Sequence, residues 1–236
     1  MTLTNKTYLI TGASGNVGRA IARTFSQVGA NLALVDMNTD ALNALISEIG
    51  GDSARFKPYT ADLGNPEAVD MLLSQIESDF GKLDGLVHTV GGFAMGDPVH
   101  AGKLDVFDRM MTLNARIVYL LAGKVASFMI SKGIKGSISI MLARSGGKGA
   151  KNQAAYTASK AAATRIMESM AQELKEHGIR VNGVSPSIID TPQNRSSMPN
   201  SDPNNWVSPA QIGDLMVFLA TNEAMTGANI EISAWS

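Results

Sequence analysis

Residues 7–36, TYLITGASGNVGRAIARTFSQVGANLALVD, decide the fold. They open on Thr7-Tyr-Leu-Ile-Thr11, a short apolar and β-branched run that reads as a buried strand. The turn Thr11-Gly-Ala-Ser-Gly-Asn-Val-Gly18 follows at once. Val17, Ile21, Ala22, Phe25 and Val28 then recur at helical spacing, so a helix is expected over 19–28 with Gly29 closing it. Asn31-Leu-Ala-Leu-Val35 reads as a second buried strand, with Asp36 at its end. Strand, glycine-rich turn and helix are the setting that a phosphate-binding turn requires.

Each glycine of that turn has a reason. Gly12 lets the chain turn sharply, Gly15 lets the backbone approach a pyrophosphate, and Gly18 lets the helix pack on the sheet. The helix N-terminus, in the stretch Ser14, Gly15, Asn16, Val17 and Gly18, offers free N–H groups and the positive end of a dipole to phosphate oxygens. Asp36 stands eighteen positions after Gly18, where a carboxylate accepts from a ribose 2′-hydroxyl. A 2′-phosphate would be repelled there, and Met37-Asn38-Thr39 brings no cation. NAD(H) is therefore expected in preference to NADP(H). The competing role for Asp36 is an N-cap of the helix expected near 40–49.

Outward from this unit the alternation continues. Strands are expected at 54–59, 83–89, 137–142, 179–184 and 228–233, and helices at 66–80, 104–129, 153–177 and 210–220. The fold class is α/β: a Rossmann-like three-layer arrangement around a doubly wound parallel sheet of about seven strands. Ligands of such sheets bind beyond the carboxyl ends of the strands. The glycine turn, Asp36, Asp62, Gly91, Ala143 and Pro186 all fall at such ends and are expected to share one cleft. Residues 1–236 read as a single domain. The proline-rich segment 186–207 is expected to be a substrate lid, because so long an irregular stretch inside a compact domain is usually a binding loop.

Composition removes several classes of function. The chain has no cysteine, which excludes disulfides and thiolate chemistry. Its three histidines are scattered, so no metal site is expected. Net charge is -1 without a basic run, so no nucleic-acid or membrane partner is expected. No charged-then-apolar leader is seen, and no uninterrupted apolar run approaches ~18 residues. A cytoplasmic protein acting on a small molecule is the expectation.

The candidate chemistry sits in Tyr156-Thr-Ala-Ser-Lys160. Four residues apart on a helix, the two side chains lie on one face. An ammonium near a phenol favours the phenolate, so Lys160 is expected to lower the pKa of Tyr156 and make it a proton donor or acceptor near neutrality.

With these motifs in order, the whole chain resembles the short-chain dehydrogenases/reductases of compact, single-domain type. The resemblance implies a nicotinamide cofactor and a homotetramer or homodimer. It implies Tyr156 as the proton donor or acceptor, Lys160 as its partner and a holder of the nicotinamide ribose, and Asn114 as holder of a water in a proton relay. Asp62 and Leu63 would contact adenine, Val90 and Gly91 would line the cofactor, and Pro186, Ile189 and Thr191 would hold the nicotinamide carboxamide. Three positions depart from the family pattern. Asn16 stands where a second glycine is usual, His88-Thr-Val-Gly91 replaces Asn-Asn-Ala-Gly, and Ala143 stands where the catalytic serine is usual, thirteen residues before the tyrosine. His88 reads as structural. Ser145 and Arg144 are the candidate replacements for the lost serine.

The missing serine and the segment Asp190-Thr-Pro-Gln-Asn-Arg-Ser-Ser-Met-Pro199, with Val90-Gly-Gly-Phe93, are similar to quinoid dihydropteridine reductases. The substrate implied is a carbonyl, imine or quinonoid, in an apolar pocket near Phe93, Met95, Met141, Met198 and Trp206. The alternative is a catalytically impaired NAD(H)-binding regulator or scaffold of the same fold.

Overall fold

The structure is a computed structural model that describes all residues 1–236. Seven strands form one sheet: β1 (Thr7–Thr11), β2 (Asn31–Val35), β3 (Phe56–Tyr59), β4 (Gly85–His88), β5 (Ser137–Met141), β6 (Arg180–Pro186) and β7 (Asn229–Ile232). Their order is β3-β2-β1-β4-β5-β6-β7, and every pairing is parallel. β1, β4 and β5 are buried along their whole length, as strands covered on both faces must be. The Rossmann-like α/β expectation therefore holds, with the strand order reversing between β1 and β4. A crevice opens at such a switch point, at the carboxyl ends of the strands.

Helices α1 (Asn16–Gln27), α2 (Thr39–Glu48), α3 (Pro66–Phe80), α4 (Leu104–Met111), α5 (Ile117–Ser131), α6 (Ala154–Glu173), α7 (Pro192–Ser197) and α8 (Pro209–Thr221) complete the chain. Two cores result, one on each sheet face. Ile21, Phe25, Leu42, Leu45, Ile212 and Met216 of α1, α2 and α8 fill one. Leu72, Ile76, Leu121, Val125 and Met167 of α3, α5 and α6 fill the other. Local chemistry starts the helices where it should. Asn38, Asn65, Thr191 and Ser208 cap α2, α3, α7 and α8 with side-chain oxygens, and proline opens the last three.

Two expectations change in detail. The long helix expected at 104–129 is interrupted, because Thr112–Arg116 forms a π turn between α4 and α5. Within Leu104–Ser131 an 18-residue window reaches a mean hydropathy of 1.4, so by length and composition the stretch could cross a membrane. Val118, Leu121, Ala122 and Val125 instead lie in the core beside α3, which is why the helix is so apolar. The segment 186–207 is not wholly irregular either. It holds α7 and returns to the sheet's end through a parallel bridge between Ile189 and Val207.

Candidate active site

The glycine turn follows β1 directly. Gly12 takes φ 64°, a left-handed conformation that favours glycine, and a side chain there would begin 2.7 Å from the Thr89 hydroxyl. Gly18 is fixed by closer contact still: a side chain would begin 2.1 Å from the Gly12 carbonyl oxygen. Its role is thus to let α1 close onto the turn's own backbone rather than onto the sheet. Gly15 stands at the N-cap of α1 in extended conformation, with no side chain capping the helix. The N–H groups of Asn16, Val17 and Gly18 find no acceptor within the chain. An uncapped helix start with unpaired donors fits a phosphate group.

Asp36 is not the cap of α2, since Asn38 accepts from Ala41 N–H at 3.0 Å. Its carboxylate accepts from Ser14 N–H at 3.0 Å and from Met37 N–H at 2.8 Å. It therefore joins the end of β2 to the glycine turn, half-buried at the crevice. A nearby guanidinium, Arg19, is committed to Glu48, to the Ser14 carbonyl and to the Ala41 carbonyl.

Asp62 lies past β3, exposed, where its carboxylate accepts from Gly64 N–H at 2.8 Å. Leu63 points into the core. Any contact from Leu63 to a cofactor would thus use its backbone. Val90 packs beside Gly12, with its Cγ2 3.3 Å from where a Gly12 side chain would begin. Pro186 ends β6 and is buried. Ile189 N–H has no partner in the chain, while its carbonyl accepts from the Asn194 amide at 2.8 Å. Thr191 caps α7, its hydroxyl accepting from Asn194 N–H at 3.2 Å.

The second half of the site is built around Lys160. Tyr156 and Lys160 stand one turn apart at the start of α6, whose N-terminus lies at the sheet's carboxyl edge. Lys160 is buried, 6% exposed, and its ammonium donates to the Met141 carbonyl at 3.0 Å. Burial pulls its pKa down from 10.5 to about 8. Gly91 admits this arrangement: a side chain there would begin 2.7 Å from Asn114 Oδ1 and 3.3 Å from Lys160 Nζ. Asn114 is locked. It accepts from Gly92 N–H at 2.9 Å and donates to the Gly92 carbonyl at 2.9 Å and to Ser159 Oγ at 3.0 Å. The π turn carries it to this position, a common use of such turns. Its amide is thus a brace between α6 and the loop after β4.

Tyr156 behaves differently from the sequence expectation. Burial raises its pKa above the ordinary 10, offset in part by the nearby Ser145 hydroxyl. Lys160 does not act on it appreciably here, because its ammonium is turned to Met141. Phe93 meets the Tyr156 ring edge-on, with centroids 4.8 Å apart. Of the residues expected to line an apolar pocket, Phe93 and Met95 are exposed at the loop after β4, whereas Met141 is core and Trp206 is buried. His88 is structural. It is bonded to the Thr11 hydroxyl at 2.9 Å, and burial followed by the Lys160 charge holds its pKa down to about 3.

Sequence reasoning gave no role to Ser159, Gly92 or the Met141 carbonyl. Ser159 had a signal, since it lies between Tyr156 and Lys160 in the quoted motif. The other two act through backbone atoms, which leave none.

The model of the short chain dehydrogenase family matches residues 6–202. The chain belongs to the short-chain dehydrogenase family. Its relatives include oxidoreductase UcpA of Salmonella typhimurium, 32% identical over 99% of this chain and 95% of that protein. They also include the uncharacterized oxidoreductase YxbG of Bacillus subtilis, 27% identical over 97% of this chain and 89% of that one. The solved structure of NAD+-bound xylitol dehydrogenase superposes with a TM-score of 0.90 at 28% identity, covering 99% of this chain and 100% of that one. The chain is therefore a nicotinamide-dependent oxidoreductase.

Proposed function

We propose that this chain is an NAD(H)-dependent oxidoreductase acting on a small carbonyl, imine or quinonoid substrate, with Tyr156 as proton donor or acceptor. The observation that carries the reading is Lys160: a buried ammonium beside Gly91 and Asn114, one turn from a half-buried phenol at the sheet's carboxyl edge. A buried, unpaired ammonium costs stability, so its presence beside a titratable phenol points to chemistry.

The cofactor would lie with its pyrophosphate on Asn16–Gly18, its adenine ribose on Asp36, its adenine near Asp62 and Leu63, and its nicotinamide ribose at Lys160 and Tyr156. The carboxamide would meet Ile189 and Thr191 near Pro186. When bound, the nicotinamide supplies or takes hydride, two electrons with one proton, at a substrate carbon. In the reducing direction the substrate's double-bond pair moves to its oxygen or nitrogen. Tyr156 gives its phenolic proton to that atom. Lys160 stabilises the phenolate left behind, and solvent restores the proton. Burial of Tyr156 keeps it protonated until a cation is turned toward it. A ribose hydroxyl competing with the Met141 carbonyl for Lys160 would do this. The Asp36 carboxylate favours a free 2′-hydroxyl over a 2′-phosphate, and Arg19 is too engaged to reverse that. A homodimer or homotetramer and a cytoplasmic location accompany this reading.

Ala143, buried with a methyl where the family carries a hydroxyl, favours the second reading, a cofactor-binding regulator. One experiment separates the two. NADH and NADPH oxidation is followed against quinones, diketones and a quinonoid dihydropterin. Turnover with NADH preferred at least tenfold supports the enzyme. Tight NADH binding without turnover across the panel supports the regulator, and a preference for NADPH overturns the role of Asp36.

A further inference from the structure

The loop after β4 is tied to the start of α6 at two places, and one of the ties ends on a sulfur. Residues 89–96 have no regular structure. The loop's root is fixed where Gly92 pairs with Asn114. Further on, Gly96 N–H donates to the Asn152 carbonyl at 3.0 Å, and the Gln153 side-chain amide donates to the Met95 sulfur at 3.6 Å. Asn152 and Gln153 lead directly into α6, just before Tyr156. Between the root and these ties stands Phe93, 61% exposed, whose ring meets the Tyr156 ring edge-on at 4.8 Å. What holds Met95 therefore also holds Phe93 beside the phenol. The chain has 13 methionines and no cysteine, so methionine is its only oxidisable sulfur. Met1, Met37, Met71 and Met95 are exposed. Of these four, only Met95 has its sulfur in a hydrogen bond, and only Met95 sits on the loop that meets Tyr156.

A thioether is a weak acceptor, and oxidation to the sulfoxide makes an apolar side chain polar. A peroxide performs the change. The sulfur lone pair attacks one peroxide oxygen, an S–O bond forms and the O–O bond breaks. Sulfur gives up two electrons, and the hydroxide that leaves takes the proton from the transferred oxygen and becomes water. An amide N–H rests about 2.9–3.0 Å from an oxygen acceptor, so Gln153 must leave its place on the sulfur to follow the new oxygen. We propose that Met95 is a site of reversible oxidation, and that its sulfoxide slows turnover by freeing the Phe93 loop from the start of α6. Methionine sulfoxide reductases restore the thioether, with two electrons from a thiol. The effect on rate rests on the oxidoreductase reading above. The oxidation and the loosening rest on the loop's own contacts.

The test treats the full chain with hydrogen peroxide, alongside Met95→Leu, Met37→Leu and Gln153→Ala, and compares each protein with its own untreated sample. Peptide mass spectrometry reads the oxygen gained at each methionine. Met95 should gain one while the buried Met141 and Met167 do not. Amide hydrogen exchange at Gly96, whose N–H is tied to Asn152, should then quicken about fivefold or more, the loss of one net hydrogen bond. Gln153→Ala should quicken it without peroxide and leave little for oxidation to add. With whichever panel substrate is turned over, treated wild type should lose about 10- to 10²-fold in kcat, the scale of a small misplacement near the reacting groups. Methionine sulfoxide reductases with dithiothreitol should return both the rate and the exchange. Met95→Leu should keep its own rate under peroxide, and Met37→Leu should stay as sensitive as wild type. Met95 left unoxidised where Met37 and Met71 are oxidised overturns the proposal. So does unchanged Gly96 exchange or kcat once Met95 is oxidised, or a Met95→Leu protein that loses rate in the same proportion as wild type. If untreated wild type turns over nothing, the oxidoreductase reading fails, and the mass and exchange readings still decide the site and the loosening.

Discussion

Lys160→Met should make the protein more stable and useless as an enzyme. Lys160 has no acidic partner in the structure, only the Met141 carbonyl at 3.0 Å. Burial moves its pKa from 10.5 to about 8. At roughly 1.4 kcal/mol per pH unit, that difference is a penalty of about 3 kcal/mol on the folded state. The sign follows from proton counting. Below pH 8 both states carry the proton and the penalty is complete. Between pH 8 and 10.5 the folded state has released the proton that the unfolded state keeps, so stability rises with pH, and above 10.5 the penalty is gone.

Methionine fills similar volume without charge but takes a hydrogen bond from the Met141 carbonyl, a loss of about 1 kcal/mol. The variant should therefore exceed wild type by about 2 kcal/mol at pH 7, and by close to nothing at pH 10. Urea unfolding of both proteins at the two pH values, at one protomer concentration, measures this. Burial, the larger cause, keeps His88 neutral in both folded proteins over this range, and the remaining titrating groups are common to both and cancel in the difference. A variant less stable than wild type at pH 7, with a gap that does not change by pH 10, would refute the claim that Lys160 is held charged at the fold's expense.

Gly18→Ala should disrupt the turn, since its new carbon would begin 2.1 Å from the Gly12 carbonyl oxygen. We expect a loss of ~1–3 kcal/mol and NADH affinity weakened more than tenfold, read by thermal unfolding and by cofactor fluorescence. Asp36→Ala should narrow the preference for NADH over NADPH by about tenfold, because it removes the repulsion of a 2′-phosphate along with the acceptor for a 2′-hydroxyl. Steady-state kinetics with both cofactors checks this, and an unchanged preference would place the discriminating residue elsewhere.

The parts legible in the sequence are those set by local physics. Residues 7–36 were readable because a strand buried on both faces must be apolar throughout and because Gly12 and Gly18 have no substitute at their positions. Tyr156 and Lys160 were readable as one face of a helix. What distant partners decide was not readable. The π turn at Thr112–Arg116 shifts the apolar pattern by too little to see, and its outcome, Asn114 bonded to Gly92, joins residues 22 positions apart. Likewise α7 has no apolar period of its own. Its signal is Thr191 capping just before Pro192, hidden among prolines that read as irregular chain. The raised pKa of Tyr156 is hidden from the sequence for the same reason. Spacing shows that Lys160 shares its face, but not that the ammonium is turned to Met141.

The most direct test of the central claim is kcat for Tyr156→Phe with NADH and the best substrate of the panel. Phenylalanine keeps the edge-on contact with Phe93 and removes only the hydroxyl. The account predicts a loss of about 10²- to 10⁴-fold with NADH affinity nearly unchanged. A variant that keeps wild-type turnover would contradict it.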